Sequence, residues 1–323
     1  MASKGDFFTI DKSVFMTACG LSLNAGIAYV IMACGSQGNN RTTAWSVQAV
    51  SKYADITRMR AERAIKELEG AELTRKIKQG SKPLYSLAQS PDQTEEDKIY
   101  LPNSIVTGVG EEEPPIQRLR QMRDTTYLMV FCLLYYIQDL ENYGGMPLEM
   151  MQDKNSPLET LFTGDVIDIQ WVESSGFELS WHWYGSSIFS YYGIDFNDFS
   201  EIFFDLRREG LLEVYGVVFE SPDHDAEYLC STFGYSYIEE LDKQRRVKMR
   251  TIKAWPKNGN YILSPIRVKN PTIKSVCRMT YRPHTGKTSR WLAIHLRRNN
   301  QIKDHLNREI AIEAAKAKER LSK

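Results

Sequence analysis

The stretch "SVQAVSKYADITRMRAERAIKELEGAEL", Ser46–Leu73, contains two amphipathic patterns on either side of a turn-like "ADIT". In the second pattern the apolar residues follow the i, i+3, i+4, i+7 spacing of one helix face: Ala61, Ala64, Ile65 and Leu68. Thr57 is placed to cap this helix at its amino end, and Gly70 is placed to end it. The stretch therefore predicts two short helices joined by a tight turn.

Further elements flank this helix pair. "LSLNAGIAYVIMACG" predicts an earlier helix that ends near Gly35, and the first helix of the pair is expected over about residues 43–54. Beyond the pair, "ELTRKIK" alternates, Gln79–Pro83 has the composition of a turn, and Leu84–Ala88 is a second extended run. Residues 1–90 are therefore predicted to form one domain with the order helix, helix, helix, hairpin.

Charge is strongly segregated along the chain. Residues 1–90 carry 12 Lys and Arg against 7 Asp and Glu, residues 91–242 carry 7 against 30, and residues 243–323 carry 22 against 4. The net charges are +5, −23 and +18, which cancel in the total. Because local fields act over about a Debye length, roughly 8–10 Å, the segregation is more informative than the sum of zero.

The acidic middle of the chain is interpreted as two parts. Residues 91–124 hold acidic clusters and a Pro-Pro pair, which disfavour helix and core burial, so they are interpreted as an acidic linker. Residues 125–242 are interpreted as an acidic second domain. Within it, Phe196–Glu220 repeats the element order of Met59–Ile77, an amphipathic helix, a glycine and an alternating strand, which favours an internal duplication.

The basic last part, residues 243–323, begins with a predicted β-hairpin, because Asn258-Gly259 is a strong turn signal. The sequence from Thr288 onwards then predicts one long helix or two shorter ones. The fold class expected for the whole chain is α+β, mainly α.

Several function classes find no support in the sequence. The apolar run Tyr127–Ile137 has 11 residues, against the roughly 20 that a bilayer needs. Five scattered cysteines without CxxC spacing indicate a reducing, cytoplasmic setting. "HTGKTS" has Tyr281 where a phosphate-binding loop needs a glycine, and "SPDHDAE" (Ser221–Glu227) is interpreted as a solvated turn. We therefore expect no enzyme activity, no metal, no cofactor and no membrane association.

Residues from about Gly26 to Ala88, carried by "TTAWSVQAVSKYADITRMRAERAIKELEGAELTRKIKQGSKPLYSL", resemble the winged helix-turn-helix domains of prokaryotic DNA-binding proteins. The resemblance implies a winged-helix DNA-binding domain over residues 1–90. The repeated element order predicts a second winged-helix-like domain after it, and charge and helix propensity predict a basic helical C-terminal region. With two such domains, the layout resembles plasmid and phage replication initiators, and also larger single-chain transcriptional regulators.

The distribution of basic residues supports DNA binding by the first domain. Arg60 and Arg63 point outward from the predicted recognition helix and are expected to contact bases, since arginine can reach a guanine with two hydrogen bonds. Thr42 and Thr43 are expected to contact phosphates near the start of the preceding helix. The other candidates for DNA contact in this domain are Thr57, Arg58, Lys66, Lys76, Lys78 and Lys82. The alternative is a basic face that is only solvated.

The other two parts of the chain have different expected partners. Asp195–Glu209 holds five acids, which a phosphate backbone would repel, so the second domain is expected to mediate homo-oligomer assembly or bind a protein partner. The aromatic string Trp181–Gly193 is interpreted as core or interface rather than as a base-stacking platform. The basic end either adds DNA-backbone affinity or packs on the acidic middle; its candidate DNA contacts are Arg245, Arg246, Lys248, Arg250, Lys287, Arg290, Arg297 and Arg298.

Together, the resemblance and the charges predict a sequence-specific binder of double-stranded DNA, foremost a transcriptional regulator. Two alternatives stay open: a replication initiator of plasmid or phage type that binds repeated sites, and a protein-interaction adaptor that keeps the winged-helix folds without touching DNA.

Overall fold

The computed structural model describes residues 7–36, 39–80, 83–90, 94, 97–138, 144–153, 159–163, 167–172, 177–219, 221, 228–231, 260–265 and 272–282, and the single positions 297, 300, 301, 304, 308, 311, 312 and 315. Two compact units are present. The first comprises Met1–Asp139, Tyr184–Glu213 and Met279–Thr288, and the second comprises Leu140–Trp183, Val214–Arg278 and Ser289–Lys323. The borders predicted for the domains, at residues 90, 124 and 242, are not borders of these units.

The first part of the chain alternates short strands with helices. In order, these elements are β1 (Phe7–Asp11), α1 (Lys12–Leu21), α2 (Leu23–Cys34), β2 (Thr42–Thr43), α3 (Val47–Ala54), α4 (Arg58–Gly70), β3 (Thr74–Lys78), β4 (Leu84–Leu87), β5 (Lys98–Pro102), α5 (Ser104–Thr107), α6 (Pro115–Gln121) and α7 (Thr125–Tyr136).

The later part contains more strands. A short 3-10 turn at Leu148–Met150 leads into β6 (Met151–Asp153), β7 (Glu159–Thr163), β8 (Ile167–Val172), β9 (Phe177–Leu179), α8 (Trp181–Gly185), α9 (Ile188–Tyr191), α10 (Phe196–Arg208), β10 (Leu212–Phe219), β11 (Tyr228–Ser231), β12 (Asn260–Pro265) and β13 (Thr272–Met279). The expected class, α+β with helices predominating, is confirmed by these elements.

The strands form small sheets. β1 pairs with β5, β6 pairs with β9, and three-stranded sheets have the orders β2-β4-β3, β12-β8-β7 and β11-β10-β13. In the sheet that follows α4, β3 and β4 form an antiparallel hairpin, and β2 pairs with β4 through Thr42–Ser86 and Thr43–Tyr85. The chain segment before α3 therefore lies in the same sheet as the hairpin after α4.

Helix α2 is the centre of the core of the first unit. Nine of its residues are buried, from Ala25 through Ala33, so it is apolar on all sides. The hydroxyl of Ser22 accepts the backbone N–H of Ala25 and caps the helix. The predicted end of this helix is confirmed, because α2 ends at Cys34 with Gly35 as its cap.

The predicted start of the next helix, near residue 43, was wrong. Helix α3 begins at Val47 after Ser46, because Thr42 and Thr43 are paired with β4 as a strand. Thr43 is buried, with 1% of its surface exposed, and its hydroxyl oxygen accepts the backbone N–H of Trp45. Two β-branched residues fit a paired strand better than a helix start.

The expectation that residues 91–124 lack helix and core burial was also wrong. Strand β5 pairs with β1 along its whole length, and Ile99 and Leu101 are fully buried. Helix α6 starts at Pro115, a favoured first position for proline, and buries Ile116 and Leu119. The acidic and proline residues of this region lie at the ends of β5 and α6, whereas the short apolar segments within these elements belong to the core.

Two segments of the first unit repeat the same backbone geometry. Each segment is a capped helix of 13 residues with one positive-φ residue before it and one after it. These residues are Asp55 and Glu72 for α4, and Gly193 and Gly210 for α10. Residue n of the first segment corresponds to residue n + 138 of the second, as in Asp55 and Gly193. The N-caps Thr57 and Asp195 obey the same shift.

The core positions of the two helices also coincide. The buried residues of α4 are Ala61, Ala64, Ile65 and Leu68, and those of α10 are Phe199, Ile202, Phe203 and Leu206, each 138 residues later. Beyond each helix the same hydrogen bond forms, from Leu73 N to Leu68 O and from Leu211 N to Leu206 O, at 2.9 Å in both. The predicted parallel in element order between these two regions is confirmed, and it extends to individual hydrogen bonds.

Asp11 joins the start and the end of the amino-terminal region. Its Oδ1 accepts the N–H of Val14 and the hydroxyl of Ser13, and its Oδ2 accepts the N–H of Ser90 at 2.8 Å. We expect Asp11→Ala to lower the free energy of unfolding by about 2 kcal/mol, because a helix cap and a long-range hydrogen bond are both lost.

Urea unfolding followed by circular dichroism measures this change. Asp124→Ala is the matched control, since Asp124 caps α7 through Thr126 N and is exposed. The control should cost only about 1 kcal/mol. Equal losses in the two variants would contradict a role for Asp11 beyond capping.

Candidate nucleic-acid interface

The turn before α4 sets the direction of that helix. Asp55 has φ 51°, a left-handed conformation that aspartate tolerates better than most residues. Ile56 is buried, and its backbone N–H donates to Ser51 O at 3.1 Å while the Ser51 hydroxyl donates to Ile56 O at 2.6 Å. These reciprocal bonds fix α4 relative to α3.

The aromatic pair before and within α3 fixes the start of that helix. The rings of Trp45 and Tyr53 stack with centroids 4.7 Å apart and an interplanar angle of 18°. The Trp45 ring also packs on Gly35, at the end of α2, where an added Cβ would lie 2.3 Å from it. Local sequence periodicity gave no sign of this contact, because Gly35 and Trp45 belong to different elements.

The basic residues of α4 lie on different sides of the helix. With about 3.6 residues per turn, Met59, Arg63 and Lys66 lie opposite the buried stripe, and Met59 is 76% exposed. Arg58 lies on the flank that faces the β3–β4 hairpin. Arg60 lies on the other flank with Glu67, which faces α2. The two arginines expected to contact bases, Arg60 and Arg63, are both exposed, and only Arg63 is close to the outermost line.

A groove of about 1010 Å³ separates α3, α4 and the hairpin. It is lined by Ser46, Val47, Gln48, Ser51, Lys52, Arg58, Glu62, Ile65, Lys66, Glu69, Lys76, Gly80, Pro83 and Tyr85. Four of these residues are cations and two are carboxylates, so the lining carries a formal charge of +2. The groove brings together three of the basic residues singled out from the sequence, namely Arg58, Lys66 and Lys76.

Sequence reasoning missed the polar lining that α3 contributes. Ser46, Gln48 and Lys52 all border the groove, and Lys52 also lies over the Tyr53 ring at 4.9 Å from its centroid. These positions could have been found by listing the solvent-facing residues of α3 in the same way as those of α4.

The hairpin contributes one side of the groove. Lys76 lies over the ring of Tyr85 at 5.8 Å from its centroid, and Lys78 is exposed further along the strand. Burial, and secondarily the charge of Glu69, raise the pKa of the Tyr85 phenol. Lys82, expected at the tip, lies outside the described residues.

Two arginines of α4 form ion pairs within the helix. Arg58 and Arg63 each contact the carboxylate four residues later, Glu62 and Glu67, at 3.1 Å. The two arginine side chains are 82% and 83% exposed. Pairs at this spacing on a helix surface contribute about 0.3–0.5 kcal/mol.

The three threonines proposed as DNA contacts have different environments. Thr57 caps α4 through a 3.4 Å hydrogen bond from Arg60 N and is exposed. Thr42 is half-buried and its hydroxyl accepts from Asn39 Nδ2. Thr43 is buried against the sheet, so the structure corrects its expected role: in this conformation its side chain does not reach a phosphate.

The candidates in the basic C-terminal region are mostly beyond what the structure describes. Arg297 is helical and exposed, and the other described positions from 300 to 315 are helical too, in agreement with a helix in this region. The remaining candidates lie outside the described residues: Arg245, Arg246, Lys248, Arg250, Lys287, Arg290 and Arg298. The predicted turn at Asn258-Gly259 does as well, although β12 begins directly after it and pairs with β8.

Helix α10 differs from α4 at every basic position. The residues that correspond to Arg58, Arg60, Arg63 and Lys66 are Phe196, Asp198, Glu201 and Phe204. The two helices therefore share their core pattern and turns but present surfaces of opposite charge at these positions.

The aromatic string before α10 is partly core, as expected. Tyr184 and Phe189 are buried and their rings contact Phe199 of α10 at 5.5 and 4.5 Å between centroids. Trp181 and Tyr191 are 60% and 82% exposed. The core function of the string is thus confirmed for its buried members.

Four cysteines, Cys19, Cys34, Cys132 and Cys277, are present as thiols that are buried or half-buried. Cys19, Cys132 and Cys277 are buried, and burial raises the pKa of the half-buried Cys34 thiol to about 12. Within the described residues, no group of three or more His, Cys, Asp and Glu side chains is placed to hold a metal ion. No helix in the described ranges has both the length and the apolar character needed to cross a membrane.

The candidate site thus consists of the groove and the outer face of α4, and its exposed cations include Lys52, Arg58, Arg63, Lys66 and Lys76. No protein-family model, no curated protein and no solved structure matches the chain.

Proposed function

We propose that this protein binds double-stranded DNA in a sequence-specific manner, as a transcriptional regulator, through a winged helix within its first 90 residues. The observation that carries the proposal is the groove between α3, α4 and the hairpin, where cations from all three elements meet. The element order α2, β2, α3, α4, β3, β4 and the sheet order β2-β4-β3 support the assignment as a winged helix.

In the proposed complex, α4 enters the major groove. Its outer line of Met59, Arg63 and Lys66 then faces the base edges, where arginine and lysine bind guanine and apolar side chains contact the thymine methyl group. Lys52 and Lys76, on the two walls beside the helix, are placed for the phosphates that flank the major groove.

The second helix of the repeat has another function in this proposal. At the four positions where α4 is basic, α10 has two aromatic and two acidic residues, and a phosphate backbone would repel Asp198 and Glu201. We therefore assign the surface of α10 to assembly of the protein or to a protein partner, and DNA recognition to α4 alone.

Selection of bound sequences tests the proposal directly. The full chain is incubated with random DNA duplexes or with fragments of the host genome, and bound fragments are recovered and sequenced at about 150 mM salt. Enrichment of one motif is the expected result. Recovery of no motif would refute sequence-specific binding and would favour the adaptor.

A replication initiator of plasmid or phage type is the second candidate. The repeated helix geometry around α4 and α10 supports it, since a layout with two such domains resembles these initiators as well as larger single-chain regulators. Two results would select it over a regulator: an array of equally spaced copies of the motif at one locus, and melting of the adjacent duplex when the protein binds. A single motif upstream of a gene, without melting, would select the regulator.

A further inference from the structure

Arg63 is held by a carboxylate that is anchored to a different helix. The Nε of Arg63 donates to Glu67 Oε1 at 3.1 Å, and the hydroxyl of Ser22, the cap of α2, donates to Glu67 Oε2 at 2.6 Å. The Glu67 side chain is 29% exposed, whereas that of Arg63 is 83% exposed. One carboxylate oxygen is therefore bonded to the scaffold and the other to a cation on the proposed DNA-binding face.

This arrangement leaves the right donors of Arg63 available. Because Nε is bonded to Glu67, the two terminal amino groups of the guanidinium remain on the solvent side, and two parallel donors are what the O6 and N7 atoms of guanine accept. Fixing a long side chain before binding also reduces the conformational entropy that is lost when it contacts a base.

The neighbouring arginine of α4 lacks such an anchor. Arg58 Nε donates to Glu62 Oε1 at the same distance of 3.1 Å, but the Glu62 side chain is 44% exposed. Within the described residues the Glu62 carboxylate has no second hydrogen-bond donor. The anchored carboxylate thus distinguishes Arg63 from Arg58, although both pairs have the same spacing along the helix.

We propose that Glu67 is a positioning residue, which orients Arg63 for recognition of a guanine and thereby contributes to sequence discrimination. The inference rests on the proposed function. In this proposal Glu67 increases sequence specificity because it orients Arg63. It lowers the general affinity for DNA because its negative charge is repelled by the phosphates.

The repeated helix offers a control for the purely structural part of this contact. Asp205 in α10 corresponds to Glu67, and it accepts a hydrogen bond from the Tyr127 hydroxyl in the first turn of α7 at 2.6 Å. A hydroxyl-to-carboxylate hydrogen bond thus tethers α10 to α7, as one tethers α4 to the start of α2. The surface of α10, however, is acidic and aromatic at the positions where α4 is basic. Loss of the tether alone destabilises either helix pair, so stability is not the informative measurement.

The test uses the full-length protein and three kinds of duplex: the selected sequence, the same sequence with each G·C pair replaced in turn, and unrelated DNA. Glu67→Gln removes the charge and keeps the shape of the side chain. We expect it to reduce discrimination at the guanine read by Arg63 about tenfold. Its affinity for unrelated DNA should rise about twofold, because a negative charge close to the phosphates is removed.

A double-mutant cycle identifies the residue through which Glu67 acts. In the Arg63→Ala background, Glu67→Gln should cause no further loss of discrimination at that guanine. Asp205→Asn should leave discrimination at wild-type level, and thermal unfolding should show comparable changes for the two tethers.

Three outcomes distinguish failure of the positioning role of Glu67 from failure of the proposed function. Unchanged discrimination in Glu67→Gln, together with reduced discrimination in Arg63→Ala, would refute only the positioning role. A loss in Glu67→Gln that persists in the Arg63→Ala background would also refute it. Absence of discrimination in the wild-type protein would refute the proposed function itself, and the positioning role with it.

Discussion

The double variant Arg63→Ala/Lys66→Ala is expected to bind its selected DNA sequence at least about 100-fold more weakly than the wild-type protein. Both side chains lie opposite the buried stripe of α4, where a helix in the major groove meets the base edges. Loss of one two-point contact to a base costs about 1–3 kcal/mol, and loss of a cation weakens binding further. The measurement is a gel-shift or fluorescence-anisotropy titration at several salt concentrations.

The salt dependence of binding separates the loss of a base contact from the loss of a phosphate contact. If Lys66 contacts a phosphate, the slope of the logarithm of affinity against the logarithm of salt concentration should fall by about 1. Since Arg63 and Lys66 are exposed, the melting temperature should hardly change. A folded double variant with wild-type affinity for the selected sequence would assign the protein to the adaptor class instead.

The equivalent helix supplies the control for net charge. Arg207→Ala/Arg208→Ala removes two positive charges from the last turn of α10, so the net charge of the chain changes by the same amount. This variant should keep its affinity for the selected DNA. An equal loss of affinity in both double variants would show that only the total charge matters and would refute recognition by α4.

The substitution Gly35→Ala is expected to destabilise the amino-terminal region by about 2–4 kcal/mol, which combines overpacking with loss of an aromatic stack. The new Cβ would lie 2.3 Å from the Trp45 ring and 2.7 Å from the Thr43 hydroxyl oxygen. Trp45 would have to leave its position against Tyr53, and α3 would lose the contact that fixes its start.

Thermal and urea unfolding measure this effect, and the same substitution elsewhere gives the control. Gly20 lies inside α1, where an added Cβ would meet no atom within 4 Å. Gly20→Ala should therefore stabilise the protein by about 0.5–1 kcal/mol, because alanine loses less backbone entropy in a helix than glycine does. Destabilisation by both substitutions would show that the Trp45 contact is not the cause.

The helix that carries the candidate site could be predicted from local sequence alone. The spacing of Ala61, Ile65 and Leu68, with Thr57 ahead of them, determines where α4 begins and which face it buries. The same applies to α10, whose core positions and following glycine turn can be predicted from its sequence. Local periodicity suffices there because each helix carries its own apolar stripe and its own cap.

The errors arose where a contact joins distant residues. Ile99 and Leu101 were assigned to a linker because their acidic neighbours dominate the composition, yet pairing of β5 with β1, about 90 residues earlier, places them in the core. Thr43 was assigned to a phosphate, and its pairing with Tyr85 buries it. The strands that pair with these residues lie far away in the sequence, so a local window does not contain them. The prediction therefore depended on local propensity and charge alone.

By itself the sequence determined the amphipathic helices, the basic character of α4 and the acidic character of α10, because these depend on residues within one or two turns. Only the tertiary structure decided which cations lie close together. Lys52, Lys66 and Lys76 come from three elements and meet in one groove because β2, β3 and β4 close a sheet beside α4. The anchoring of Glu67 by Ser22, 45 residues earlier, likewise exists only once α2 and α4 have packed together.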